Sequence, residues 1–300
     1  MGWLGYLSKL YHKSSMDSVD DIVNVINRSG TLRGDISGRH LDFVYKKLNH
    51  SNNAPDFSFP QKALTNVENT KCDSQTQLRG VIVETREHPA LEFIVNHFSK
   101  TLGLPIQLFH GKNNYSFINS SSISSLVDRG CVELTELNTV DMTASEYNAL
   151  LLSREFWELV QGRHKILVFQ PDAIVCPQSN YSINDFIEFD YIGSQWDEKR
   201  PIGIKLKGGN GGLSLRDWKT TMRCLSRFPA DDWPGGEDGY FAFHFDVMGA
   251  KIGTQNDCAK FSTQEKFLYN SFGAHKISLL DDASLALFLK YCPEAKKILI

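Results

Sequence analysis

Residues 164–175, HKILVFQPDAIV, constrain this chain most: an apolar run of strand length breaks at Gln170 and Asp172 and resumes at Ala173. So short a run, rich in β-branched residues and bounded by polar ones, suits a strand buried on both faces. The segments before it repeat the theme. RGVIVET and PIQLFHG read as strands, CVELTEL as a third, and the stretch HPALEFIVNHFSKTLG between the first two as an amphipathic helix closed by Gly103. TASEYNALLLSREFWELV is a further helical stretch leading into 164–175. Strands that alternate with helices predict an α/β domain with a mixed, mainly parallel sheet and helices on both faces.

That domain is expected over 78–300. Residues 1–50 read as a small helical N-terminal extension, with Ile22, Val23, Val25 and Ile26 behind an Asp-rich first turn, and 51–77, rich in Asn, Ser, Thr and Pro, as a linker. A net charge of −3 argues against nucleic acid as the main partner. The six cysteines form no C-x-x-C pair and no zinc spacing, as expected of reduced thiols in the cytoplasm. The start, MGWLGYLSKLYHKSS, is interrupted by polar residues well short of a transmembrane segment; a packing helix and peripheral membrane contact both stay open for it.

In open α/β sheets ligands sit beyond the carboxyl ends of the strands, so the polar residues there are site candidates. They are Glu84, Thr85 and Arg86 after the first strand, His110 and Gly111 after the second, and Gln170 and Asp172 after the fourth. Arg86 also fits a surface ion pair, and Asp172 a turn cap.

Three later stretches carry further chemistry. IGIKLKGGNGGLSLRDWKTTMRCL reads as a strand, a glycine-rich turn and a helix with Leu215, Trp218, Met222 and Leu225 on one face. It fails the dinucleotide pattern, because Ser214 stands at the third glycine; no Walker A sequence exists in the chain. Gly209, Gly211 and Gly212 would let backbone pass close to a bound sugar, with Asn210 as a hydrogen-bonding group. WPGGED places Trp233, Gly235 and Gly236 before Glu237 and Asp238 at a helix start, where acids are also favoured by the helix dipole. In FLYNSFGAHK, His275 and Lys276 follow an aromatic residue and a glycine, in a segment expected to return to the cleft; a lone histidine also fits a structural role.

Together, VIVETREHPALEFIVNHF, IQLFHG, YNALLLSREFW, ILVFQPDAIV, DYIGSQW, GNGGLSLR, GGEDGYF and FGAHK resemble a family of GT-A-like glycosyltransferase proteins catalogued mainly as a domain of unknown function. The resemblance covers roughly 78–277 and implies a GT-A, Rossmann-type fold with a nucleotide-sugar donor. Gln170-Pro-Asp172 stands where GT-A enzymes carry Asp-x-Asp, with Gln170 in place of the first acid. The resemblance implies Asp172 and His275 as ligands of Mn²⁺ or Mg²⁺, and Lys276 as a contact of the donor diphosphate. Glu84, Thr85, Arg86, His110, Gly111, Asn148 and Gln170 would belong to the donor side. GNGGLSLR is similar to the segment that walls the acceptor in such enzymes, and Trp196 would stack on a sugar or pack in the core. WPGGED resembles the W-G-G-E-D of inverting galactosyltransferases, which makes Asp238 the general base and Glu237 its acceptor-orienting partner, or the reverse.

The expected reaction is transfer of a hexose from a UDP-sugar to a hydroxyl of a glycan or glycoconjugate, with inversion and a divalent cation. Two other readings remain. One is a noncatalytic sugar or nucleotide-binding module on the same fold, to which Gln170 would be the first pointer. The other is a sugar nucleotidyltransferase, whose early basic, glycine-rich phosphate loop is missing after RGVIVET.

Overall fold

In the computed structural model, which describes residues 17–67, 77–162, 164–196 and 202–299, a reciprocal cap sets the first element. Ser18 Oγ accepts the Asp21 N–H at 3.3 Å, and the Asp21 carboxylate accepts the Ser18 N–H at 3.1 Å. Two donors that a helix start leaves unpaired are thereby satisfied. Helix α1 (Val19–Asn27) follows and buries Val19, Ile22, Val23, Val25 and Ile26. Helices α2 (Gly38–Tyr45) and α3 (Phe59–Ala63) add Leu41, Val44, Tyr45, Phe59 and Ala63 to the same core cluster, which also holds Trp233, Tyr240, Phe241 and Phe245.

Residues 17–67 are therefore a packed layer of the molecule and not an extension on a linker. Their backbone is tied in as well: the Ser51 N–H donates to Pro234 O at 2.8 Å and the Asp56 N–H to Ser145 O at 3.2 Å. The rest of the expected linker, 68–76, and the N-terminal stretch considered for membrane contact, 1–16, lie outside the described residues. No helix among the described residues is long and apolar enough to cross a membrane.

The central alternation is as expected: β1 (Leu78–Glu84), α4 (Leu91–Leu102), β2 (Ile106–His110), α5 (Tyr115–Ser120), α6 (Ile123–Asp128) and β3 (Val132–Glu136). Gly103 ends α4 in the left-handed conformation with φ 63°. Ser153 splits the next helical stretch into α7 (Ala144–Leu151) and α8 (Arg154–Leu159) by accepting the Phe156 N–H. Then come β4 (Lys165–Phe169), β5 (Ala173–Val175), β6 (Tyr191–Ser194), β7 (Asn210–Asp217), α9 (Trp218–Arg227) and α10 (Glu237–Met248). The chain closes with α11 (Gln255–Phe261), β8 (Ser262–Thr263), β9 (Gly273–His275) and α12 (Asp282–Tyr291).

The main sheet has the order β3-β2-β1-β4-β7-β6, in which only β7 runs against its neighbours. Alternate residues feed opposite faces, as a pleated strand requires. Val81, Val83, Ile166 and Val168 join the cluster under the N-terminal helices, whereas Ile82, Leu167 and Phe169 join the one under α4 and α12. A smaller sheet, β5-β9-β8, stands beside it.

One assignment is corrected. The strand lies at Asn210–Asp217 and not at 202–207, and the helix starts at Trp218, beyond Leu215. The spacing of Leu215, Trp218, Met222 and Leu225 mimics a helix across a real boundary, where Asp217 Oδ1 caps α9 by accepting the Thr220 N–H at 2.8 Å. Pairing with β4 decides it: Leu213 and Leu215 face one side, and Ser214 and Arg216 the other.

Candidate functional site

The small sheet brings the first site residues together. Antiparallel pairing of β5 with β9 sets Ala173 opposite His275, so Asp172, one residue earlier, meets the imidazole. His275 Nε2 stands 3.2 Å from Asp172 Oδ1 and 3.2 Å from Gln170 Oε1. Burial would raise the Asp172 carboxyl, but contact with His275 and the charge of Lys276 hold it below the usual carboxylate value. His275 is fully buried and fits only because position 212 lacks a side chain: a Cβ on Gly212 would lie 2.2 Å from Nε2. Lys276 takes the left-handed conformation, φ 48°, where its N–H donates to Asp172 O at 3.2 Å. Asp172 and His275 are the oxygen and nitrogen donors here suited to a divalent cation.

Across the end of β1, Arg86 folds back on Glu84. Its Nε and Nη2 donate to the two carboxylate oxygens at 2.9 Å each, a bidentate fork with a directional grip. The buried Asn114 side chain donates to the carbonyls of Glu84 and Arg86 at 2.8 and 3.0 Å, which fixes this turn. His88 comes next along the wall; burial lowers its proton affinity, and its Nδ1 accepts the Ala90 N–H at 3.1 Å.

The 233–238 turn lines the same cavity. Trp233 Nε1 donates to Gly236 O at 2.9 Å, which pins the loop before α10. Asn210 Nδ2 donates to Asp238 Oδ2 at 2.8 Å, while its Oδ1 accepts the Gly212 N–H at 2.9 Å. Asn210 thus orients the Asp238 carboxylate. Glu237 is bound to Arg216, a strand-interior residue that the sequence reading missed, at 2.7 and 3.0 Å. Burial raises the Glu237 carboxyl and the arginine opposes that rise. Asn148 accepts the Glu237 N–H at 3.1 Å and donates to Asn53 O at 2.8 Å. It is bonded to the 233–238 turn, whereas the resemblance implied a donor-side contact.

All of this encloses one cavity of about 750 Å³. Its walls include Glu84, Thr85, Arg86, Gln170, Asp172 and Lys276 together with Asn148, Asn210, Gly211, Gly212, Gly235, Gly236, Glu237 and Asp238. His88, Tyr147, Ser51 and Asn53 also line it. None of these four has a sequence signal beyond its polarity.

Besides the buried His275, five expected site residues do not line the cavity. Trp196 is a core residue, 2% exposed, with its Nε1 donating to Leu206 O at 3.3 Å, so no sugar can stack on it. Trp233 is likewise buried, against Tyr45, Tyr240 and Phe243, and acts as a clamp on the turn. His110 and Gly111 lie behind the wall, where His110 Nδ1 bonds to Gly111 O at 2.8 Å. Gly209, φ 83°, is used against β6: a Cβ would strike Gly193 O at 2.5 Å. The glycines of GGNGG therefore clear space for the protein's own groups, Gly211 for Glu237 and Gly212 for His275.

A family model described as "Protein of unknown function (DUF5672)" matches residues 132–276. That span contains the lining residues named above except Ser51, Asn53, Glu84, Thr85, Arg86 and His88. Among curated proteins none matches the sequence significantly. Among solved structures, the chain is similar to a Bacillus anthracis protein described as a glucose-1-phosphate thymidylyltransferase, in complex with a sucrose. The identity is 12%, the TM-score 0.38, and the match covers 70% of this chain and 94% of that one. It is also similar to the glycosyltransferase GlyE of Streptococcus pneumoniae, at 11% identity and a TM-score of 0.40, over 75% of this chain and 62% of that one.

Proposed function

We propose that this chain transfers a hexose from a nucleoside diphosphate sugar, UDP-linked first, to a sugar hydroxyl with inversion at the anomeric carbon. The observation that carries the reading is that one cavity is lined both by Asp238, whose carboxylate Asn210 holds, and by Arg86, Asp172 and Lys276. The motif resemblance supports the same grouping.

In this reading Asp238 takes the proton of the acceptor hydroxyl as its oxygen bonds to the anomeric carbon. The bond from that carbon to the diphosphate breaks, and the leaving group keeps the electron pair. Asn210 aims the carboxylate. Glu237, tied to Arg216, shapes the start of α10 and leaves the base role to Asp238. Arg86 and Lys276 meet the charge that builds on the diphosphate. Asp172 and His275 would hold Mn²⁺ or Mg²⁺, which when bound would neutralise the same charge. The donor types fit such an ion: a carboxylate oxygen, Asp172 Oδ1, lies 3.2 Å from a ring nitrogen, His275 Nε2.

The test is UDP release from a panel of UDP-sugars, with and without Mn²⁺, by the protein and by its Asp172→Ala and Asp238→Asn variants. Sugar-selective release that needs Asp172 supports the reading and names the donor. Binding of a nucleotide sugar without turnover, with or without Mn²⁺ and acceptor sugars, gives the noncatalytic module instead. If GDP- and CMP-linked donors also neither bind nor react, the transferase reading fails.

A further inference from the structure

The loop 49–56 is fastened along its length yet keeps two polar groups for the cavity. The Asn49 N–H donates to Ile202 O at 3.2 Å, the Ser51 N–H to Pro234 O at 2.8 Å and the Asp56 N–H to Ser145 O at 3.2 Å. Between them, Asn53 O accepts Asn148 Nδ2 at 2.8 Å. Asn148 also accepts the Glu237 N–H, and the Asp238 carboxylate lies close by: a Cβ on Gly236 would meet Asp238 Oδ1 at 3.0 Å and Asn148 Oδ1 at 3.6 Å. The loop is thus tied to the residues that flank the base, and Ser51 and Asn53 line the same cavity as Asp238. Ser51 Oγ accepts the Asn53 N–H at 3.2 Å. Among the described residues neither the Ser51 hydroxyl hydrogen nor the Asn53 side-chain amide is engaged in a hydrogen bond.

Charge narrows what such groups can take. Hydroxyls and amides both donate and accept, as sugar hydroxyls do, and the loop, NHSNNAPD, brings no lysine or arginine. The Glu237 charge is answered by Arg216, which leaves the Asp238 carboxylate as the charge this part of the wall presents. The lysine and arginine that line the cavity are bonded elsewhere, Arg86 to Glu84 and the Lys276 N–H to Asp172 O. An acceptor with a phosphate or carboxylate would therefore bring like charge toward Asp238.

We propose that Ser51 and Asn53 are acceptor contacts, which bind hydroxyls of an uncharged sugar and discriminate against sugars that carry a phosphate or carboxylate. The inference rests on the transferase reading above and adds to it an acceptor site contributed by the N-terminal layer, outside the family-model match. Because its backbone bonds hold the loop in place, little ordering opposes binding.

The experiment takes the UDP-sugar that the donor panel selects and follows its transfer by the full chain to methyl glycosides of glucose, galactose and N-acetylglucosamine, and to methyl glucuronide. The wild type should use at least one neutral glycoside and not the glucuronide. Ser51→Ala and Asn53→Ala should each raise the acceptor KM about 3- to 10-fold, the worth of a hydrogen bond, against less than about 2-fold for the donor KM. Asn53→Lys should improve use of the glucuronide relative to the glucoside at least about 5-fold. An acceptor KM that stays at the wild-type value in both alanine variants overturns the inference, as does a wild type that uses the glucuronide as well as the neutral sugars. Donor hydrolysis with no neutral sugar used also overturns it, and leaves the transferase reading standing. If no nucleotide sugar is cleaved at all, the transferase reading fails and takes this inference with it.

Discussion

The Arg216 guanidinium and the Glu237 carboxylate close on each other as a fully desolvated fork, Nη1 to Oε2 at 2.7 Å and Nη2 to Oε1 at 3.0 Å. Phe241, Tyr191 and Trp157 surround the arginine, with ring centroids 5.1, 5.4 and 5.7 Å from its central carbon. Removing one partner leaves a buried charge uncompensated, so Arg216→Met should cost about 3–5 kcal/mol in urea unfolding. Arg216→Met with Glu237→Leu should recover most of that loss. A single variant within about 1 kcal/mol of the wild type would show that the pair is not a stability element.

Gly212→Ala should behave unlike an ordinary glycine substitution. The new Cβ meets His275 Nε2 at 2.2 Å, and His275 is fully buried, so the ring or the strand must shift. Overpacking of this kind costs about 1–3 kcal/mol. A lower melting temperature should come with a loss of Mn²⁺ uptake. Gly34→Ala, whose Cβ would meet nothing within 4 Å, serves as the silent control.

Asp238→Asn should reduce transfer to an acceptor at least about 100-fold while slow hydrolysis of the donor persists, since water does not need the acceptor base. Asn210→Ala should fall between that variant and the wild type, because it frees the carboxylate without removing it. Equal loss of both reactions in Asp238→Asn would move this residue out of the base role.

Acid should destabilise the fold in part through His244. Burial brings its pKa down from the ordinary value of 6.5 to about 3, and the ring is held between Tyr45 Oη at 2.6 Å and Tyr240 O at 2.8 Å. Below its ordinary value the unfolded chain takes up a proton that the folded chain refuses until near pH 3. The stability this neutral ring contributes is therefore present above pH 6.5 and is lost as pH falls toward 3. From pH 7 to 5 the loss is about 2 kcal/mol. Urea unfolding of His244→Gln at the two pH values should show a slope smaller by that amount.

The parts of this molecule legible in the sequence are those whose causes are local. KILVF followed by polar residues has one comfortable state, and so do the cap at Gly103 and the helix start at Glu237. Asn210 shows the limit: its type and place in a glycine-rich turn suggested a contact to sugar, while its actual partner is the side chain of Asp238, set by how α10 meets β7. Arg216 was invisible for the same reason, since an arginine in a strand tells nothing of a carboxylate on another element. Trp196 and Trp233 misled because aromatic rings serve a core and a sugar face equally well, and only burial separates the two uses. The N-terminal helices gave their own apolar stripes correctly but not the surface that α10 and Trp233 offer to them.

The reversed course of β7 has a consequence for how such a chain can vary. The Gln170 N–H donates to Gly212 O at 2.9 Å, because the exit of β4 and the entrance of β7 are neighbours in an antiparallel register. The site is indexed by that register and not by distance along the chain. An insertion between Val175 and Tyr191 lengthens an outlying connection without altering which atoms face each other, so homologues can drift in spacing there and still share the short words QPD and NGG.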